Sequence, residues 1–230
     1  MPHGKPLIAA NHIEGHIAAN YITHQNLEPP FLCLVISGGH THLVYVKDYI
    51  HYEILGKTRD DAIGDAFDKV ARVVGLGYPG GPKIDKLAKE GIPNIELPKP
   101  HLENLDFSFS GINTAVINLH HKNPNIDKAN LCVSFEKTVT EILIENVKKA
   151  VKEKHISKVA LAGGVSANSY IRQSFLEYGK AENIEIYYPE IVLCTDNAAM
   201  IASTAYYHYV AGERAEMTLN AVPNLKLGAI

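Results

Sequence analysis

Hydrophobic and polar positions change their period several times along this chain, and each change marks an element. "FLCLVISGGHTHLVYV" is two β-rich runs joined at a Gly-Gly, the pattern of a hairpin, and "YEILG" adds a third strand. "TRDDAIGDAFDKVARVVG" then places Ala62, Ile63, Ala66, Phe67, Val70, Val73 and Val74 on one helical stripe. Thr58 and Asp61 have capping-box spacing there, and Gly75 offers a stop. Upstream, "KPLIAA" reads as a short strand and "NHIEGHIAANYITHQN" as a helix with Asn11 as its N-cap.

Downstream, "GLGYPGGP" is a loop, and Pro82 suits the first turn of a helix over "PKIDKLAKEG". "IPNIELPKPHLENLDFSFSG" is irregular or briefly extended. "INTAVINLHHK" is a helix that "NPN" breaks, and "DKANLCVSFEKTVTEILIENVKKAVKEKH" is a long helical pattern with room for one interruption. "KVALAGGVSANSYIRQSFLEYG" reads strand, Gly-Gly turn, helix. "IEIYYP" is a strand, and "TDNAAMIASTAYYHYVAG" a helix capped by Thr195 or Asp196. Helices alternating with strands in this order predict an α/β domain.

Composition narrows the function classes. Hydrophobic residues make up 46%, enough for one large core or two small ones. The net charge of −3 advertises no basic field, so RNA binding would need a local patch or a partner. Cys33, Cys132 and Cys194 lie far apart without a C-x-x-C and read as buried hydrophobes in a reducing compartment. No apolar run reaches the roughly 18 residues that span a bilayer. The first residues lack a signal-peptide pattern, so a cytoplasmic protein is expected.

The candidate chemistry begins with "NHIEGH". At ~100° per residue, His12 and His16 share a helix face and can reach one metal; the alternative is a polar helix face. A zinc protease helix reads H-E-x-x-H, with the glutamate as general base. Here Glu14 lies about 200° round from His12, on the opposite face. Gly15 in mid-helix suggests close approach by another element, or a helix edge.

In "ISGGHTH" two glycines leave backbone amides bare, which suits either an anion or an ordinary tight turn. His40 and His42 share a strand face, as polar rim or as ligand contacts. "AGGVSAN" ends a strand and opens a helix, where α/β folds place phosphates. Asn168 there can serve a ribose, a base or only the local backbone. Asp65, Asp68 and Asp85 flank a glycine-rich loop, as sugar-hydroxyl partners or as a solvated face. Asp196 reads first as an N-cap; as a third partner of His12 and His16 it completes a two-histidine, one-carboxylate set suited to Fe(II) or Zn(II).

Together "NHIEGH", "ISGGHTHL", "DDAIGDAFDKVARVVGLGYPGGP", "LDFSFSGINTA", "AGGVSAN" and "CTDNAAMIA" resemble, in order and spacing, the bacterial tRNA adenosine threonylcarbamoyltransferase family, TsaD. Its archaeal and eukaryotic counterpart belongs to the KEOPS complex, and an older label is O-sialoglycoprotein endopeptidase. The resemblance implies an actin, sugar kinase and Hsp70 type of fold with ribonuclease H-like cores. It implies transfer of threonylcarbamoyl from threonylcarbamoyl-AMP to the exocyclic amine of the adenosine just 3′ of the anticodon. Carried onto this sequence, the metal ligands are His12, His16 and Asp196, with Fe(II) expected first and Zn(II) second. The intermediate falls on Val35, Ile36, Ser37, Gly38, Gly39, Asp68, Gly81, Asp85 and Asn168. His40 is the candidate proton acceptor. Expected partners are tRNA, threonylcarbamoyl-AMP (with ATP or ADP as further ligands) and the proteins TsaB and TsaE.

The family ordinarily carries a first lobe ahead of this point. The chain is therefore expected to be a metal-ligand helix region over 1–30 and the second lobe over 31–230, with one wall of the nucleotide cleft elsewhere. The rival readings are a metallopeptidase, a non-catalytic binding lobe and an actin-like ATP hydrolase.

Overall fold

A computed structural model describes residues 4–100, 102–223 and 225–228. Its centre is a five-stranded mixed sheet in the order β3-β2-β1-β4-β5. The hairpin is β1 (Phe31–Ile36) and β2 (Thr41–Val46), antiparallel, with β3 (Tyr52–Lys57) antiparallel beyond β2. On its other side β1 pairs in parallel with β4 (Lys158–Ala162), which pairs in parallel with β5 (Glu185–Tyr187).

All six β1 residues are buried, because helices cover both faces of the sheet. Leu32, Leu34, Ile36 and Leu161 face the larger core. That core is closed by α2 (Ile63–Val73), α3 (Gly80–Ala88), α4 (Ser110–Lys122), α5 (Lys128–Lys154) and α6 (Ser169–Glu182). Phe31, Cys33, Val35 and Ala162 face the smaller one, under α1 (His12–Thr23). The last helix, α8 (Ala198–Val210), packs along α1. Gly15 marks their crossing: a Cβ there would stand 3.0 Å from Ile201 Cδ1. Among the described residues no helix is long and apolar enough to cross a membrane.

Several expectations need correction. "KPLIAA" forms no strand; Leu7 makes only an isolated bridge to Ala215. The long helix runs without interruption from its Asp127 cap to His155, which closes it in the left-handed region. Thr58 and Asp61 do not cap α2. Thr58 Oγ1 donates to the Asp61 carbonyl, and the Ile63 amide is taken by Thr41 Oγ1 at 2.9 Å, from the neighbouring strand. A short α7 (Ile191–Cys194) precedes α8, whose cap is Asn197, with its Oδ1 accepting from the Met200 amide at 2.9 Å. Thr195 and Asp196 are left out of the cap, so the Asp196 carboxylate is free for other work.

One cap comes from far away in sequence. Asp60 accepts from the Phe109 amide at 2.8 Å and the Ser108 hydroxyl at 2.5 Å, covering the start of α4. Burial works against its charge, but these donors outweigh it and hold its carboxyl below the usual range. The contribution is thus full above the unfolded value near ~3.9 and is lost as pH falls through the lower folded one. Asp60→Ala should cost about 1 kcal/mol at pH 7 by urea unfolding and much less near pH 2.

Candidate metal centre and glycine turns

The side chains of His12 and His16 stand one turn apart on α1, aimed at the loop before α8. Asp196 Oδ1 lies 3.2 Å from His16 Nε2 and 3.4 Å from His12 Nε2. One ligand atom from each residue lies within 4.8 Å of the others. His16 is 2% exposed, and its Nδ1 has no hydrogen-bond partner. Burial, reinforced by His12, lowers its pKa to about 4 against the pull of Asp196. At neutral pH the ring is therefore uncharged, the form that ligates metal. Two imidazoles and one half-free carboxylate fit a divalent metal and leave coordination positions open.

Glu14 turns away from this cluster. Its Oε2 meets His208 Nε2 at 2.7 Å, and His208 Nδ1 meets Glu213 Oε2 at 2.6 Å. Burial pushes the Glu14 carboxyl up despite His208, whereas the two carboxylates raise His208 against its own burial. The pair ties α1 to the last turn of α8, while Asp196 meets α1 near the start of α8. A glutamate spent this way is no general base for water on the metal, so the peptidase pattern fails at its central residue.

The two Gly-Gly turns meet because β1 and β4 are parallel neighbours and both end at the same sheet edge. Gly163 has φ +86°, and a Cβ on it would stand 2.4 Å from the Ile36 carbonyl oxygen. Ser37 to His40 closes a tight turn, with the Ser37 amide donating to the His40 carbonyl at 2.9 Å. Gly38 and Gly39 are exposed, and a Cβ on either would meet nothing within 4 Å. Tight turn and open backbone are thus both true of one loop. Gly81, in the first turn of α3, is equally open.

The other nucleotide-site candidates are more committed than their sequence context suggests. Asp68 Oδ1 accepts from the Gly80 amide at 2.6 Å. Asp85 accepts from the Ser169 amide at 3.2 Å and hydroxyl at 2.5 Å. Asn168 Oδ1 accepts from the Ile171 amide at 2.9 Å. At the start of α6 the Ser169 amide is thus taken by Asp85 and the Ile171 amide by Asn168, whereas the backbone at Gly38 and Gly39 is open. Asp65 is exposed on α2. Val35 and Ile36 are fully buried in β1 and place the turn through their backbone.

His40 and His12 line one cleft of about 730 Å³, together with Asn11 and Pro223. Burial, then His12, lowers the His40 pKa, and its ring packs edge-on against His42 at 5.4 Å. A free-base ring in that cleft suits a proton acceptor.

Three residues escaped sequence reasoning: His208, which meets Glu14, Glu136, which meets Asn168, and Arg172. Arg172 donates through Nε to the Ser166 carbonyl at 2.5 Å and through one terminal nitrogen to Pro189 and Cys194, tying the second glycine turn to the approach to Asp196. Each contacts partners distant in sequence, so neither motif nor period announces it.

Comparison with known proteins agrees with this geometry. The family model described as "TsaD: tRNA N6-adenosine threonylcarbamoyltransferase" matches residues 1–203. The tRNA N6-adenosine threonylcarbamoyltransferase of Clostridium botulinum strain Hall is 55% identical over 232 residues, covering 98% of this chain and 68% of the relative. Full-length HypF in its phosphate- and nucleotide-bound crystal form superposes with a TM-score of 0.69 at 16% identity, over 84% of this chain and 41% of HypF. Component A of the (R)-2-hydroxyglutaryl-CoA dehydratase of Acidaminococcus fermentans gives 0.55 at 14%, over 87% and 69%. These two likenesses concern the fold, which is of the actin and Hsp70 type. The sequence match decides the family: this chain belongs to the TsaD family of tRNA N6-adenosine threonylcarbamoyltransferases.

Proposed function

We propose that the chain carries the metal centre and the phosphate turn of an enzyme that moves a threonylcarbamoyl group from threonylcarbamoyl-AMP onto a tRNA adenosine. The observation that carries this reading is the convergence of His12, His16 and Asp196 within 4.8 Å, alongside the exposed Gly38–Gly39 turn. His12, His16 and Asp196 would hold one divalent metal, with Fe(II) first and Zn(II) second. When bound, it supplies Lewis-acid stabilisation of negative charge on the carbamoyl and phosphate oxygens.

The remaining steps belong to the chain's own groups. The Gly38 and Gly39 amides donate to phosphate oxygens as negative charge gathers on the departing AMP. Asp68 and Asp85 keep lone pairs for ribose hydroxyls, and Gly81 lets the nucleoside approach α3. The adenosine N6 attacks the carbamoyl carbon, the carbon–oxygen bond to the phosphate breaks, and AMP departs. A ring nitrogen of His40 takes the proton that N6 releases. AMP is a good leaving group, so positioning supplies much of the rate. The acceptor is the adenosine just 3′ of the anticodon, and TsaB and TsaE are the proposed protein partners.

The test is a comparison of substrates. With Fe(II), TsaB, TsaE and the family's first lobe present, the chain should release AMP from threonylcarbamoyl-AMP only when unmodified tRNA is added. ADP formation from ATP at the same rate would favour an ATP hydrolase, and cleavage of a glycoprotein would favour the peptidase.

A further inference from the structure

Glu136 lies in the middle of α5, 1% exposed, with its Oε1 accepting from Asn168 Nδ2 at 2.6 Å. The other end of the same amide accepts from the Ile171 backbone at 2.9 Å. Each contact decides a different thing. Ile171 can only donate, so it fixes which end of the amide is oxygen. Glu136 takes one of the two Nδ2 hydrogens and so fixes which one is spent inward. The second Nδ2 hydrogen is the one donor of the Asn168 side chain left for a ligand, beside the second lone pair of Oδ1. Asp85 reinforces the arrangement by holding Ser169, the next residue, through both its amide and its hydroxyl.

Nothing about α5 as a helix requires a carboxyl at this position. Burial pushes the Glu136 carboxyl up to about 7 against the pull of the Asn168 amide, with Asp85 adding to the rise. A buried carboxyl hydrogen-bonded to a candidate ligand residue is the kind of group that accompanies recognition sites. Its pairing with Asn168 is an amide-to-carboxyl hydrogen bond inside the protein, where such bonds hold geometry tightly.

We propose that Glu136 is a positioning residue for nucleoside recognition, locking Asn168 so that it offers a single N–H donor to an acceptor atom of the nucleoside. This rests on the proposed nucleotide site at Asp68, Asp85 and Asn168. The donor selects its partner: a ribose oxygen or an unprotonated ring nitrogen accepts this N–H, whereas an exocyclic amine could only donate to Oδ1.

The test uses AMP as the probe, on wild type, Glu136→Gln, Glu136→Leu, Asn168→Ala and the Glu136→Leu/Asn168→Ala pair. Without ligand, one Asn168 side-chain amide proton should exchange slowly in wild type and Glu136→Gln, and quickly in Glu136→Leu. By calorimetry, Glu136→Gln should bind AMP nearly as wild type does, and Glu136→Leu about tenfold more weakly. Metal content should stay unchanged. In the Asn168→Ala background, Glu136→Leu should cause no further loss.

A freely exchanging Asn168 amide in wild type overturns the proposal, and this measurement stands even if Glu136→Leu does not fold. Wild-type AMP affinity in Glu136→Leu, or an equal loss with and without Asn168, also overturns it. Wild-type protein that protects the amide yet binds no AMP supports the positioning while refuting both the recognition role and the nucleotide reading of Asp68, Asp85 and Asn168.

Discussion

Replacing His12 and His16 together by alanine should empty the metal centre and abolish transfer in the same protein. The two rings supply two of the three converging atoms, and the exposed Asp196 that remains is a weak site. Loss of an outer partner of a metal ligand alone costs about 10–100-fold in affinity, so loss of two ligands should exceed that range. His16→Ala also removes a buried ring, so a fold control is needed. Asp196→Ala provides it: this side chain is 75% exposed and takes no part in the α8 cap. It should retain the wild-type melting profile yet lose metal by elemental analysis. Metal retained in the double variant and in Asp196→Ala would place the ion elsewhere.

The second large effect should come from Gly163→Ala. The backbone at φ +86° lies where L side chains rarely go, at a cost of about 1–3 kcal/mol. The added methyl would also stand 2.4 Å from the Ile36 carbonyl oxygen, a position the strand cannot yield without breaking the β1–β4 pairing. A loss of at least about 3 kcal/mol in chemical unfolding is expected. Gly39→Ala is the informative partner. Its methyl would enter open space, so stability should hold to within about 0.5 kcal/mol while AMP binding weakens. If Gly163→Ala were neutral, the two glycine turns would not be held together as described.

What the residues announce in advance depends on whether their partners are near in sequence. The hairpin was legible because strand period and Gly-Gly coincide over sixteen consecutive positions of one-letter text. The long α5 was legible from its helical period, but the sequence left room for one interruption that packing against the sheet removes. His12 and His16 announced themselves by their spacing, but Asp196 lies in "TDN", where three adjacent residues can each cap a helix. Only the fold shows Asn197 capping and Asp196 left free. Thr58 and Asp61 illustrate the opposite case: good local spacing lost to Thr41, a donor and acceptor brought in by the neighbouring strand. Helical period also placed Glu14 on the far side from the histidines, yet it carried no hint of His208, 194 positions away. Glu136 was silent for a similar reason. A glutamate in a long charged helix reads as solvated until the helix is packed under Asn168.

Those distant contacts also explain why the site is stiff. The first residues of α1 are fastened to both ends of α8, by the Asp196 cluster and by the buried Glu14–His208 pair, with Gly15 setting the separation between the helices. A ligand set built from one helix and the loop that leads into another keeps its geometry only when the spacing and rotation of the two helices are fixed. Arg172 extends the same fastening to the second glycine turn, so that metal ligands and nucleotide turn share one frame.

The central claim is that His12, His16 and Asp196 serve threonylcarbamoyl transfer to tRNA. The most direct measurement is nucleoside analysis of tRNA by mass spectrometry after incubation with threonylcarbamoyl-AMP, Fe(II), TsaB, TsaE, the chain and the family's first lobe. Wild type should yield threonylcarbamoyladenosine, and the His12→Ala/His16→Ala variant should yield none. Equal yields from the two proteins, or none from wild type, would contradict the account.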